Sequence, residues 1–292
     1  MVNLIAKTAL LAATAVFAAP ASRLEARQQH NITEEVEPWN AGAVTEYIIH
    51  ESCNSTQATQ IADGLREAVE LAEHAKDHIL RWGNNSELYR KYFGNDPPVA
   101  AIGSYDIVVN GDKNGVIFRC DNPDGNCAQE GWAGHWRGEN ATQETVICDL
   151  SYERRRWLSS MCGLGYDVAN GATNTFWASD LLHRLYHIPS IGNGYIEHYL
   201  ETYQEILDDA GQPGSNATHD SDVLQYFALD VYAYDIAVPG EGCSGEYVET
   251  SHDHGSATST TSATPTSAEA ATGTADVPEN CHTHEGGELH CE

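Results

Sequence analysis

Between residues 56 and 82 the apolar positions Ile61, Leu65, Ala68, Ala72, Ala75 and Ile79 recur at intervals of three and four, which aligns them along one side of an α-helix. Gly83 follows as a residue suited to ending it. The next apolar runs differ in kind. Residues 99–109, 115–120 and 145–150 are short and rich in Val and Ile, and Asn110-Gly111 and Asn114-Gly115 sit where hairpin turns would fall. They predict a small sheet. From residue 172 the helical spacing returns, predicting helices over 174–187, 194–209 and 222–236, separated by Pro189 and by the loop 211–214. A long helix, a small sheet and a helical half predict a single α+β domain.

The pattern stops near residue 250. Residues 256–274 are almost entirely Ser, Thr, Ala and Pro, a composition that buries no core and predicts a disordered, O-glycosylated spacer. At the other end Lys7 precedes an apolar run over 8–19 that ends in small residues, as a secretory signal peptide does, with cleavage after Ala18 or Ala21. That run is too short to span a bilayer, and the polar His290, Cys291 and Glu292 do not resemble a GPI-anchor signal. The expected division is a signal peptide over 1–18, a domain over 19–250, a spacer over 251–280 and a Cys/His tail over 281–292.

Secretion changes how the rest reads. Sequons at Asn31, Asn54, Asn84, Asn140 and Asn216 predict a glycoprotein. Eight cysteines in an oxidising compartment are expected to pair, and the Pro-Asp-Gly turn predicts a local bridge between Cys120 and Cys127. The 43 acidic residues against 15 basic ones exclude nucleic acid and anionic membranes as natural partners and favour cations.

Two clusters of cation ligands stand out. His183 and His187 are four residues apart, so on a helix both imidazoles project from one face and can share a zinc ion, with Leu181, Leu182 and Leu185 on the opposite side. Asp180 falls on the histidine side and is expected to orient a ring. His198 is the first choice for a third ligand, with Asp230, Glu197 and Glu201 as alternatives. His74 and His78 share the four-residue spacing but lie opposite the apolar stripe, and are expected to face solvent. In the tail, Cys281, His282, His284, His290 and Cys291 surround Gly286-Gly287, where the chain can reverse and bring the imidazoles together. A bridged cysteine pair would preorganise them; reduced, both thiolates could ligate zinc. His252 and His254 are at most auxiliary, and copper or nickel would compete for such ligands.

The motif HRLYHIP at 183–189, taken with CHTHEGGELHC at 281–291, resembles the fungal family of pH-regulated antigens, zincophores and major allergens that carry an HRxxH peptidase-like domain. The stretch from Cys148 to His187 is also similar to the layout of deuterolysin-type zinc metallopeptidases. The resemblance implies a zincin-like fold, zinc as cofactor and a role in zinc acquisition. Its implied partners are a cell-surface zinc transporter and host extracellular proteins, with allergenic potential. Arg184 stands where an HExxH peptidase has its glutamate, and a guanidinium cannot accept the proton of a metal-bound water. No catalytic residue is therefore assigned. The expectation is a secreted zinc-binding and scavenging protein. The alternatives are a metallopeptidase using an unusual base such as Glu197 or Glu201, and a host-protein adhesin with structural zinc.

Overall fold

The computed structural model describes residues 37–200 and 202–248 and, as backbone strands, 281–283 and 289–291. The expected signal peptide, spacer and Asn31 sequon lie outside the described residues, as do Glu201 and His284. Residues 37–42 belong to a separate unit and form a turn closed by the Ala41 amide donating to the Pro38 carbonyl at 2.9 Å.

Helix α1 (Ser55–Trp82) carries the rest of the second unit, and the expected stripe is its buried face. Asn54 caps it. The Asn54 side chain accepts from the Thr56 and Gln57 amides while Gln57 reaches back to the Asn54 amide, a capping box that satisfies amides with no partner inside the helix. At the other end Gly83 takes φ 51°, where a side chain would be strained.

Helix α1 packs on α3 (Pro98–Asn110), α5 (Trp177–Tyr186) and α7 (Ser221–Tyr232). The closest approach is at Gly64, where an added Cβ would lie 2.8 Å from Leu181 Cδ1 and 3.1 Å from Trp177 Cβ. Around Phe227 of α7 gather Tyr89, Tyr92 and Phe93 from α2 (Glu87–Phe93) and Tyr105 from α3, with the Phe93 ring centroid 5.0 Å away. These rings fill the core at offset and edge-to-face angles.

Residues 99–109 are helix, not the expected strand. Pro98 sits in the first turn, where its missing N–H costs nothing, and Ala101, Ser104, Tyr105 and Val108 are buried at helical spacing. Packing against α1 outweighs the β-propensity of the valines and isoleucines. Gly111 accordingly caps α3, its amide donating to the Ile107 carbonyl at 3.0 Å, and the expected hairpin turns do not form.

The sheet runs β1 (Ile48–Ile49), β2 (Ile117–Arg119), β4 (Glu144–Ile147), β3 (Gly134–Trp136), β6 (Leu289–Cys291), β5 (Cys281–Thr283). β2 is parallel to both β1 and β4, and the hairpin lies between β3 and β4, where no strand was expected for residues 134–136. The chain beyond β4 turns at once into α4 (Asp149–Arg154).

In the helical half, α6 (Tyr203–Asp209) is shorter than expected, so His198 stands on an irregular stretch rather than on a helix. That stretch is held by backbone pairing. The Glu197 amide donates to the His219 carbonyl at 3.1 Å and the Ser221 amide to the Glu197 carbonyl at 2.9 Å. The expected α+β class therefore stands, with the helices and strands interleaved differently.

Three disulfides join Cys53 to Cys120, Cys127 to Cys148 and Cys162 to Cys243, so the expected Cys120–Cys127 bridge is not made. The turn at 122–125 does form, with the Gly125 amide donating to the Asn122 carbonyl. It directs the two cysteines to different partners. The parallel pairing of β1 with β2 brings Cys120 to Cys53, and the β3–β4 hairpin sets Cys148 beside Cys127. Among the described residues no helix is long and apolar enough to cross a membrane.

The α1–α5 contact yields a stability test. Gly64→Leu is expected to destabilise the protein by about 1–3 kcal/mol, because the new side chain enters space held by Leu181 and Trp177. Chemical denaturation of the variant, with an unchanged midpoint, would show the contact to be more yielding than the distances imply.

Candidate metal centre

Every one of the ten residues of α5 is buried, including the polar Ser179, Asp180, His183 and Arg184. The helix therefore does not divide into a leucine side and an open histidine side, as its sequence suggests. Each of its polar groups must instead find a partner inside the protein.

His183, in the last turn of α5, His187, just past its end, and His198 converge so that one ligand atom from each lies within 4.8 Å of the others. His187 Nε2 is 3.0 Å from His183 Nε2 and 3.2 Å from His198 Nε2. Imidazole nitrogens about 2.0–2.1 Å from a tetrahedral zinc stand about 3.3 Å apart, so the spacing fits three nitrogens sharing one ion. A neutral ring offers at Nε2 either one hydrogen or one lone pair, so His187 Nε2 cannot pair well with both neighbouring Nε2 atoms at once; a cation among the three removes that conflict.

The outward ring nitrogens of His183 and His198 are also engaged. Asp222 Oδ2 lies 2.8 Å from His198 Nδ1, the carboxylate–imidazole pairing that holds a metal-binding ring in place and fixes its tautomer. His183 Nδ1 faces the Gln225 side-chain amide nitrogen at 2.9 Å and Ser221 Oγ at 3.3 Å, while Gln225 Oε1 has no partner. Exchanging the amide's oxygen and nitrogen positions gives Gln225 Oε1 the Nδ1–H to accept and puts the lone pair of His183 on Nε2, the atom that faces His187. The donor set therefore fits a zinc ion on its own chemistry.

Asp220 caps α7 and ties the centre together. Its carboxylate accepts from the Tyr199 amide at 2.7 Å, the Leu200 amide at 3.0 Å and the Val223 amide at 2.8 Å, pinning the His198 stretch to the start of the helix that supplies Ser221, Asp222 and Gln225. Burial, and next the charge of Asp222, push the Asp220 carboxyl up to about 7.

Asp180 does not orient a histidine. Its carboxylate is wholly buried between two arginines, 2.9 Å from Arg155 Nη2 and 2.9 and 3.1 Å from Arg184 Nε and Nη2. Burial pushes Asp180 up, but the two guanidinium charges and their hydrogen bonds outweigh it and hold the group below the usual carboxylate range. Arg184 thus points its charge at Asp180 and across β3, where a Cβ on Gly134 would come within 2.4 Å of Arg184 Nη1.

Other candidates resolve differently. Asp230 is spent on Lys91 Nζ at 2.7 Å, Tyr92 Oη at 2.9 Å and Ser244 Oγ, and is not part of the histidine group. Glu197 contributes its backbone, and no metal-ligating group includes it among the described residues. His74 and His78 are not solvent-facing. His78 is buried, and the two rings approach the same Asp235 oxygen at 3.1 and 2.7 Å, because the chain after α7 folds over that side of α1. In the tail, β5 and β6 pair antiparallel with Cys281 opposite Cys291 and His282 opposite His290.

Ser221, Asp222 and Gln225 were missed in the sequence. Their signal was a run of polar residues, Asp220 to Asp222, opening a helix whose remaining positions are almost all apolar.

Residues 2–246 match the model of a family described as "HRXXH: Putative peptidase family". The chain belongs to the HRXXH family. Within it, the chain is similar to "Major allergen Asp f 2" of Aspergillus fumigatus, 59% identical over 87% of this chain and 86% of that protein. It is also similar to "pH-regulated antigen PRA1" of Candida albicans, 50% identical over 71% of this chain and 70% of that protein. A solved structure titled as a zinc peptidase from Grifola frondosa aligns with 61% of this chain and 97% of its own at 14% identity and a TM-score of 0.44. The HRXXH residues of this chain are His183, Arg184 and His187.

Two substitutions separate the roles of this HRXXH helix. Asp222→Asn should weaken zinc binding about 10- to 100-fold in a competition titration with little change in fold, since the carboxylate that holds the outward nitrogen of His198 becomes an amide of the same shape. Arg184→Glu should cost roughly 3–5 kcal/mol, because it sets a carboxylate against buried Asp180 and leaves Arg155 as the facing guanidinium. Unfolding free energy equal to that of the unsubstituted protein would show the Arg184 pair to be dispensable.

Proposed function

We propose that this protein is a secreted, zinc-binding glycoprotein whose task is to capture and carry zinc, with little or no peptidase activity. The observation that carries this reading is the convergence of His183, His187 and His198, each brought by a different local structure to one point. When bound there, zinc would have three imidazole ligands and one open position, which suits exchange of the ion with an outside ligand.

The weak point of a peptidase reading is the helix itself. The position between the histidines holds Arg184, whose guanidinium is committed to Asp180 and cannot take a proton. Nothing on α5 supplies the carboxylate base that hydrolysis of a peptide needs.

The tail adds a second site. The register that sets Cys281 opposite Cys291 favours a cross-strand bridge, leaving His282, His290 and His284 as the ligands. Secretion is supported by three disulfides in the body, the apolar leader and the sequons. The names of its relatives, an antigen and an allergen, favour exposure to a host. A cell-surface zinc transporter is the natural recipient of the captured ion, and host extracellular proteins are further partners.

Metal analysis of full-length protein made without a histidine tag tests this directly. His183→Ala with His187→Ala should remove one site, deletion of 281–292 should remove another, and the combination should abolish tight binding. Unchanged zinc content in both variants would refute the reading. Chelator-sensitive proteolysis lost with His183→Ala would favour the enzyme instead.

A further inference from the structure

Away from the three-histidine centre, His135 on β3 lies against the Cys127–Cys148 disulfide, with one ring nitrogen and the two sulfurs all within 4.8 Å of one another. His135 is 1% exposed, and its Nδ1 has no hydrogen-bond partner. A buried, unpartnered imidazole nitrogen is uncommon in a native protein and calls for a use. The other nitrogen, Nε2, lies 3.3 Å from Asp124 Oδ2, and Asp124 is itself gripped by Arg137 Nε at 2.8 Å and Nη2 at 3.1 Å. This is the carboxylate–imidazole pairing that orients metal-binding rings, on a ring that serves no metal while the sulfurs are bridged.

We infer that Cys127, Cys148 and His135 form a redox-gated metal site, which takes a thiophilic cation such as Zn²⁺ once the disulfide is reduced. Access is provided by an open cleft of about 450 Å³ that both cysteines line together with Asp149 and Glu153. The two acidic side chains favour entry of a cation. A small thiol reductant would be oxidised to its own disulfide while the protein sulfurs take up two electrons and two protons. Binding the cation then releases those two protons as the sulfur–metal bonds form, and His135 contributes a nitrogen lone pair. Two sulfurs about 2.3 Å from a tetrahedral zinc stand about 3.8 Å apart, so they must separate on opening, which rotation of the two side chains about Cβ supplies. Two thiolates and one imidazole leave a fourth position for water.

The other described bridges, Cys53–Cys120 and Cys162–Cys243, have no comparable ligand group beside them among the described residues. This contrast gives the test an internal control, of which Cys162 and Cys243 are the stricter half because Cys120 lines the same cleft. It does not depend on the three-histidine centre.

The test uses full-length protein carrying Cys281→Ser and Cys291→Ser, so that the tail adds no thiol, together with His183→Ala and His187→Ala. The protein is reduced with a water-soluble phosphine, which becomes the phosphine oxide as the bridge takes up two electrons. It is then alkylated with iodoacetamide with and without Zn²⁺, and each cysteine is followed by mass spectrometry. Zn²⁺ is expected to slow alkylation of Cys127 and Cys148 at least tenfold while leaving Cys53, Cys120, Cys162 and Cys243 nearly unaffected. His135→Gln should remove most of that protection. Equal alkylation rates with and without Zn²⁺, protection spread evenly over all six cysteines, or protection unchanged by His135→Gln would each overturn the inference. Should His135→Gln fail to fold, the comparison among the six cysteines of the parent protein decides alone.

Discussion

Helix α5 is buried along its whole length, so its polar groups have to be met from inside the protein, a demand that only Arg184 Nη1 and Tyr186 Oη leave unmet among its hydrogen-bonding side-chain atoms. Much of the surrounding structure can be understood as the answer to that demand. Asp180 is met by Arg155 and by Arg184 of the same helix, and His183 by Ser221 and Gln225 of α7. A buried charge left unpaired costs several kcal/mol, so these partners are conditions for the helix to be where it is. Gly64 on one side and Gly134 on the other allow the approach: one admits the apolar side of α5 against α1, the other makes room for the guanidinium of Arg184.

The same demand produces the chemistry. A helix presenting two histidines inside a protein must either bond them to neighbours or give them an ion. Here the outward nitrogen of His183 is met by α7, and the inward nitrogens converge on one another and on His198. Asp220 makes the convergence geometric rather than accidental. By accepting three backbone amides it locks an irregular stretch carrying His198 to the first turn of α7, which carries Asp222. Ligand and orienting group are thus fixed by one carboxylate that touches neither.

Arginine at position 184 fits this arrangement better than it fits catalysis. In a peptidase, the residue between the histidines must reach the water on the metal. In this protein it reaches along the helix to Asp180 instead, a single carboxylate that it shares with Arg155. Arg184 brings an internal ion pair and no proton acceptor, and the first does not depend on the second.

What the sequence determined alone are the features that rest on local rules. The stripe from Ile61 to Ile79 and the stop at Gly83 marked α1, because helical period and capping depend on neighbours in the chain. The His183–His187 spacing marked a candidate pair for the same reason, and it is the fold that brings His198, rather than Asp230 or the Glu197 side chain, into a group with them. Family membership was legible too, in HRLYHIP and CHTHEGGELHC. Tertiary structure decided everything that depends on a partner distant in sequence. Residues 99–109 became helix because α1 offered a face to pack on, and Cys120 joined Cys53 because β1 lies parallel to β2. His78 is buried because the chain after α7 returns across α1 to bring it Asp235. Burial, too, is a property of the assembled fold, and it is burial that turned Asp180 from a presumed ligand-orienting group into the counterion of two arginines.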